Sequence, residues 1–291
     1  MEKNESILVK AWNCLNSILE PLKGNMLLQR LSTIRQSIRL IVQSPLYNES
    51  RIYDIYGNTD SKVYLPGFCL PKKGLSCILP VFKEGLLNGS PDIKEQSAAA
   101  LCECIRLSDS VSLKASVMAI TGPLIRVLGE RYSASLKSVI LDAIYFLLLK
   151  VDITLKPFLP QLQPTFLKNL TDINRNIRLK SGFALAKLLF MNPKMDTIIN
   201  ELLNYIKSNE DILLKETLLN TLRLCLNNVG DKLQDETKSQ VLKFLHTEDY
   251  IFNAEYSIRA VTSGAIGSLA PNLNDKEFNL LFKDVLGIFM F

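Results

Sequence analysis

Few side chains in this 291-residue sequence have the types and spacing for chemistry. There is one histidine, His246, so a Ser-His-Asp triad, a His-rich metal site or a His-based acid–base pair has almost no material to work with. His246 falls near the end of a helical pattern and reads as a surface or C-terminal capping residue. The acidic pairs Glu210-Asp211 and Glu248-Asp249 stand where helices begin, and negative charge there complements the helix dipole. Capping therefore explains them better than paired-carboxylate catalysis. No GxxxxGK[ST] or GxGxxG string occurs, and Gly264-Ala-Ile-Gly267 reads as close helix packing rather than a phosphate cradle. The six cysteines (Cys14, Cys69, Cys77, Cys102, Cys104 and Cys225) include no Cys-x-x-Cys, and Cys102 and Cys104 would point to different faces of a helix. They read as reduced, mostly buried thiols of a cytoplasmic protein. No catalytic residue, cofactor or metal is expected, and the composition points away from an enzyme.

The basic residues carry more information. Net charge is +5, and it is unevenly spread: residues 1–150 hold 18 Lys/Arg against 13 Asp/Glu, 151–207 hold 8 against 4, and 208–291 hold 8 against 12. A basic middle could steer a partner. On a helical pattern over 174–191, Ile177, Ala184 and Leu188 lead the apolar face. Arg175 and Arg178, three apart, share one edge of that face, while Lys180 and Lys187 share the opposite edge. Arg178 reads first as part of an inter-repeat ladder with an acid such as Asp172, because arginine forms the better desolvated ion pair. Lys72 and Lys73 precede a predicted helix, where the dipole disfavours positive charge, and are secondary binding candidates. Aromatic residues are not interleaved with these cations, so stacking-based RNA binding has little support.

The elements that must position them are helices. Apolar periodicity predicts them at 6–19, 26–42, 73–87, 92–107, 113–129, 133–150, 155–170, 174–191, 194–207, 211–228, 232–246, 254–269 and 275–289. They recur in pairs. Ile93, Leu136, Ile177, Leu214 and Tyr256 align at intervals of 37 to 43 residues, and the next residue is basic in four of the five, with Ser257 the exception. Apolar or small residues follow five and eight positions later, a spread that suits a helix packed both on its partner and on the next repeat. Two helices in about 40 residues predict an all-α, HEAT/armadillo-type α-solenoid of about six helix pairs. Such repeats cannot bury their faces singly and must stack, leaving an extended surface whose usual work is binding.

The expected organisation is an N-terminal helix pair over 1–42, a Tyr-rich flexible insertion over 43–64, stacked repeats over 65–270 and a terminal helix over 271–291. The apolar run from Val285 to the end is too greasy for a solvated cap and points to a piece of a longer array or a covered end. No apolar stretch reaches the ~20 residues of a membrane span, and no secretory signal opens the chain.

LPGFCLPKKG (65–74), ITGPLIRVLGERYS (120–133) and KPFLPQLQPTFLKNLTDINRNIRLKSGFALAKL (156–188) resemble the C-terminal HEAT-repeat region of the giant eukaryotic general-control translational activators. The likeness extends over roughly 8–270. It implies a non-enzymatic scaffold whose family binds translating ribosomes through other parts of its array. It further implies docking of the RWD domain of the kinase that phosphorylates the alpha subunit of translation initiation factor two, and of other RWD-containing proteins. An arginine is expected to matter for that docking, at Arg175 or Arg178. Two other readings of the same pattern are direct RNA or ribosome binding by the basic ridge, and a transport-receptor or phosphatase-type scaffold.

Overall fold

The computed structural model describes residues 4–43, 64–279 and 281–282. The predicted insertion falls largely outside them, as do the run from Val285 and most of the terminal helix, of which 275–279 and 281–282 are helical. Among the described residues there is no strand. The helices are α1 (Glu5–Leu19), α2 (Asn25–Gln43), α3 (Leu79–Asn88), α4 (Pro91–Leu107), α5 (Ser110–Lys114), α6 (Val117–Gly129) and α7 (Ala134–Val151). They continue with α8 (Leu159–Asn169), α9 (Arg175–Leu189), α10 (Met195–Ser208), α11 (Ile212–Val229), α12 (Asp235–Leu245) and α13 (Tyr256–Leu269). Short 3₁₀ turns cover Pro66–Cys69, Gly74–Cys77, Asp152–Phe158, Gly230–Lys232 and Ala270–Asn272.

Local chemistry explains where these differ from the periodic pattern. A helix does not run from Lys73, because Lys72 and Gly74 both adopt positive φ (61° and 40°). Pro80, in the first turn of α3, marks the restart. The expected helix at 113–129 begins earlier and breaks: Asp109 Oδ1 accepts the Ser112 amide at 2.8 Å to start α5, and α6 begins at Val117. The segment expected as 155–170 is a 3₁₀ turn followed by α8, with Pro160 in the new first turn. Likewise α12 starts at Asp235, where Asp235 and Glu236 complement the dipole, rather than at 232.

The described residues fall into two compact units, the first ending at Phe158 and the second beginning at Leu159. In the first, α1 packs on the 3₁₀ turns at Pro66–Cys69 and Gly74–Cys77, and the Trp12 indole donates to the Gly74 carbonyl at 3.1 Å. There α3 pairs with α4 and α6 with α7, while α2, α4 and α7 stack in order. In the second, the pairs are α8/α9, α10/α11 and α12/α13, with α9, α11 and α13 stacked and α10 against α12. The spread of apolar positions in the second helices follows from this double packing. Leu136, Leu141 and Ile144 of α7 are all buried, as are Ile177, Gly182 and Leu185 of α9.

One position is common to the five second helices that follow α2, which carries Leu28 there. Their fourth residue is basic: Lys94, Lys137, Arg178, Lys215 and Arg259. The sequence alignment slipped by two in the last repeat, where α13 opens at Tyr256 and the equivalent of Ile177 is Ile258. Three of these cations close the preceding inter-helix turn. Lys94 Nζ donates to the carbonyls of Leu86 and Leu87 at 2.7 and 2.8 Å, Arg178 Nη1 to those of Asp172 and Ile173 at 3.0 and 3.2 Å, and Arg259 Nη1 to those of Asn253 and Ala254, both at 2.7 Å. These carbonyls lie past the last helical turn or in it, where no intrahelical donor reaches them. Lys150, in the last turn of α7, does the same between repeats: its Nζ donates to the carbonyls of Ile105, Arg106 and Ser108 at 2.6–2.8 Å.

Neighbouring second helices approach closely where side chains are smallest. A Cβ on Gly182 of α9 would run into Thr221 Oγ1 of α11. Gly182→Ala should therefore destabilise the second unit by about 1–3 kcal/mol, with part of the loss recovered in Gly182→Ala/Thr221→Ala; urea unfolding of the three proteins measures both.

Candidate functional site

The four residues proposed on 174–191 all lie on or beside α9, and the structure gives them different work. Arg178 is buried, with 8 % of its surface exposed, and its Nη1 is spent on the two turn carbonyls. The ladder foreseen with the Asp172 side chain is instead a bond to the Asp172 main chain. The Asp172 carboxylate accepts the Asn174 amide at 2.9 Å, which shapes the turn that Arg178 closes. Arg175, at the first helical position, keeps 56 % of its side chain exposed, and its Nη2 meets Glu216 Oε1 of α11 at 3.0 Å. Lys187 is half-buried and donates to Asn228 Oδ1 of α11 at 3.3 Å. Lys180 is half-buried on the same helix.

Arg175, Gly182 and Lys187 thus meet α11 at the start, middle and end of one seam. Sequence reasoning missed Glu216 and Asn228, the two acceptors. Each lies 41 residues beyond its donor, one repeat interval, so matching opposite polarities at the repeat period would have found both. The first turns around this seam are also apolar and open: Ile173 is 97 % exposed, Leu213 59 % and Tyr256 75 %. Greasy residues interleaved with a cation on successive helix ends suit a protein partner better than bulk water.

Lys72 and Lys73 lie in the first unit, at the left-handed turn before the Gly74–Cys77 segment. Lys72 is exposed. Lys73 is engaged: its Nζ donates to Asn13 Oδ1 at 2.7 Å and lies 4.4 Å from the Trp12 ring centroid, tying α1 to this turn.

The groups with shifted acidities do not form a reaction centre. Burial pushes the Lys150 ammonium down to about 8, but its three hydrogen bonds to carbonyls leave no free pair directed at a substrate. Near it, burial raises the Tyr64 phenol, with the Asp109 charge adding to it, and raises the Cys69 thiol against a lowering hydrogen bond at the Asp109 backbone. Burial also lifts the Cys77 thiol to about 11 and drives Cys104 and Cys225 well above their ordinary range. His246 is the C-cap residue of α12, its ring 6.4 Å from that of Phe252. Among the described residues no group of three His, Cys, Asp or Glu side chains is placed to hold a metal. None of the described helices is long and apolar enough to cross a membrane.

An array of stacked helix pairs with polar seams defines a helical-repeat protein. The solved structures it resembles agree on the fold. An engineered protein superposes with a TM-score of 0.56 at 11% identity, covering 89% of this chain and 97% of its own. A designed armadillo repeat protein gives 0.53 at 12%, covering 88% and 98%. Two family models, both described as stalled ribosome sensor GCN1-like HEAT repeats, match residues 1–72 and 196–288. The chain is 39% identical over 285 residues to the Homo sapiens protein named stalled ribosome sensor GCN1, covering 96% of this chain and 10% of that one. It is 35% identical over 218 residues to the Saccharomyces cerevisiae protein named eIF-2-alpha kinase activator GCN1, covering 75% and 8%. The chain belongs to the GCN1-like HEAT-repeat family, and it spans about a tenth of the length of the relatives it matches.

The thiols give a direct check on the packing. Thiolate is the reactive form, and burial suppresses it at Cys77, Cys104 and Cys225, whereas Cys14 is exposed. At pH 8 the native protein should alkylate at Cys14 within minutes, while Cys77, Cys104 and Cys225 react only after unfolding, as read by mass spectrometry of iodoacetamide adducts.

Proposed function

We propose that this chain is a non-enzymatic, cytoplasmic docking segment that receives the RWD domain of the kinase for initiation factor two alpha and supports its activation at ribosomes. One observation carries the choice of site. The fourth position of the five second helices from α4 to α13 is a cation, so the repeat itself accounts for Arg178. The first position varies (Pro91, Ala134, Arg175, Ile212, Tyr256), and only α9 has a cation there. Arg175 is thus the arginine for which the repeat offers no structural reason. Its pairing with Glu216 joins an exposed guanidinium to a half-buried carboxylate through one nitrogen, and leaves the rest of the planar fork available to a partner carboxylate. The open apolar residues Ile173 and Leu213 beside it supply contact area that a charge alone does not. Lys180 and Lys187 contribute field more than contact, since Lys187 is already bonded to Asn228. Other RWD-containing proteins would compete for the same edge. The relatives named as kinase activator and as stalled ribosome sensor support this reading.

The test is the affinity of an isolated RWD domain for the chain and its variants, with thermal unfolding measured on each. Arg175→Glu should cost about 2–5 kcal/mol in binding and leave Tm unchanged. Arg178→Glu should lower Tm, because it strands two turn carbonyls and buries an unpaired charge. Unchanged affinity in folded Arg175→Glu, Lys180→Glu and Lys187→Glu proteins would place the RWD site elsewhere. Binding to RNA that falls steeply from low to moderate salt would instead favour the basic ridge as a nucleic-acid surface.

A further inference from the structure

A groove of about 680 Å³ runs between α10 and α12 in the second unit, on the layer of first helices and away from the α9/α11 seam. Both helices present the same spacing to it. Asn200, Leu203, Asn204 and Lys207 come from α10, and Gln240, Lys243, Phe244 and Thr247 from α12 and the residues just after it, each set at i, i+3, i+4 and i+7. Leu203, Phe244 and Tyr250 are buried and make its floor, with the Phe244 and Tyr250 ring centroids 4.3 Å apart. The rim is polar. The Asn200 and Asn204 side chains, one helical turn apart, make no hydrogen bond among the described residues, and neither does that of the exposed Lys243. Lys207 Nζ lies 5.3 Å from the Phe244 centroid at the same end.

We infer that this groove binds an extended acidic peptide segment of a partner protein. Each free primary amide offers a donor and an acceptor, the pairing that the peptide group of an extended backbone requires. Two ammonium groups against the single carboxylate of Asp249 give the lysine end a net positive charge, complementary to Asp or Glu. The floor at Leu203, Phe244 and Tyr250 is almost fully covered, so recognition rests on the rim amides and lysines. Single-stranded RNA fits less well, because Phe244 and Tyr250 expose only 7 % and 5 % of their surface and offer no open ring face for stacking. The seam at Arg175 has no part in this proposal, so the two stand or fall separately.

Fluorescence anisotropy of the whole chain with a labelled decapeptide alternating glutamate and leucine tests it. Saturable binding is expected, with at least tenfold loss in Lys207→Glu/Lys243→Glu and about fivefold loss in Asn200→Ala/Asn204→Ala. Tm should be retained in both, and Arg175→Glu should leave the peptide affinity unchanged. Failure of the peptide to bind, equal binding of a peptide alternating glutamine and leucine, or undiminished affinity in the folded groove variants would overturn the inference. Displacement of the peptide by a ten-nucleotide single-stranded RNA, with the RNA binding lost in the same variants, would overturn it in favour of RNA.

Discussion

Three helix pairs of this chain share one problem and one solution: the carbonyls at the end of the first helix and in the following turn have no helical donor, and a cation on the fourth residue of the second helix supplies it. Lys94, Arg178 and Arg259 each satisfy two such carbonyls. The position is well chosen. A side chain four residues in is within reach of the turn just before its own helix, and its methylene stem lies along apolar surface while the charged tip meets oxygen. Leaving such carbonyls buried and unbonded would cost about 1–3 kcal/mol each. The turn geometry, and through it the angle between the two helices, therefore depends on this bond. Lys150 applies the same chemistry between repeats, holding three carbonyls at the end of α4 from the last turn of α7.

That constraint separates two arginines which a helical wheel places together. Arg175 and Arg178 share an edge of α9, yet one turn of the helix divides an exposed fork from a buried structural tie. A buried cation that donates to neutral carbonyls is not free to meet a partner without dismantling its turn. The guanidinium of Arg175 is itself exposed and meets the half-buried Glu216 carboxylate at one edge, an interaction that water and salt reach from the arginine side. Electrostatic sign alone would have treated the two as equivalent; desolvation decides between them.

The helices and their pairing were legible in the sequence because stacking imposes a strong period. Buried positions at Leu136, Leu141 and Ile144, or at Ile177, Gly182 and Leu185, follow from packing on two sides and leave a broad apolar signal. Boundaries were less legible. The left-handed turn at Lys72, the early cap at Asp109 and the proline restarts at Pro80 and Pro160 act through backbone geometry rather than hydrophobic pattern. The basic register was visible in four helices and lost in the fifth, because Tyr256 offers an apolar anchor two residues before the true one at Ile258. Of the candidate site, the cations could be read but not their acceptors. Glu216 and Asn228 lie one interval away, and a charge becomes a seam only once both helices are in place.

A repeat protein also shows by internal comparison which residues its fold consumes. The fourth position of the second helix is a cation in the five helices after α2 and closes a turn in three of them, and Gly182 opposite Thr221 is fixed by contact. The first position of those helices carries no such demand, and there the chain varies freely from proline to arginine to tyrosine. Residues that stacking does not require, and that nonetheless expose a fork, an amide or a large apolar surface, are where a scaffold's binding work has to reside. Arg175 with Ile173 and Leu213 on the layer of second helices meets that description, as do Asn200, Asn204 and Lys243 on the layer of first helices. Because the two sets project from different helix layers, substitutions in one leave the packing of the other untouched. A solenoid can therefore alter what it binds on one layer without losing the fold that both layers share.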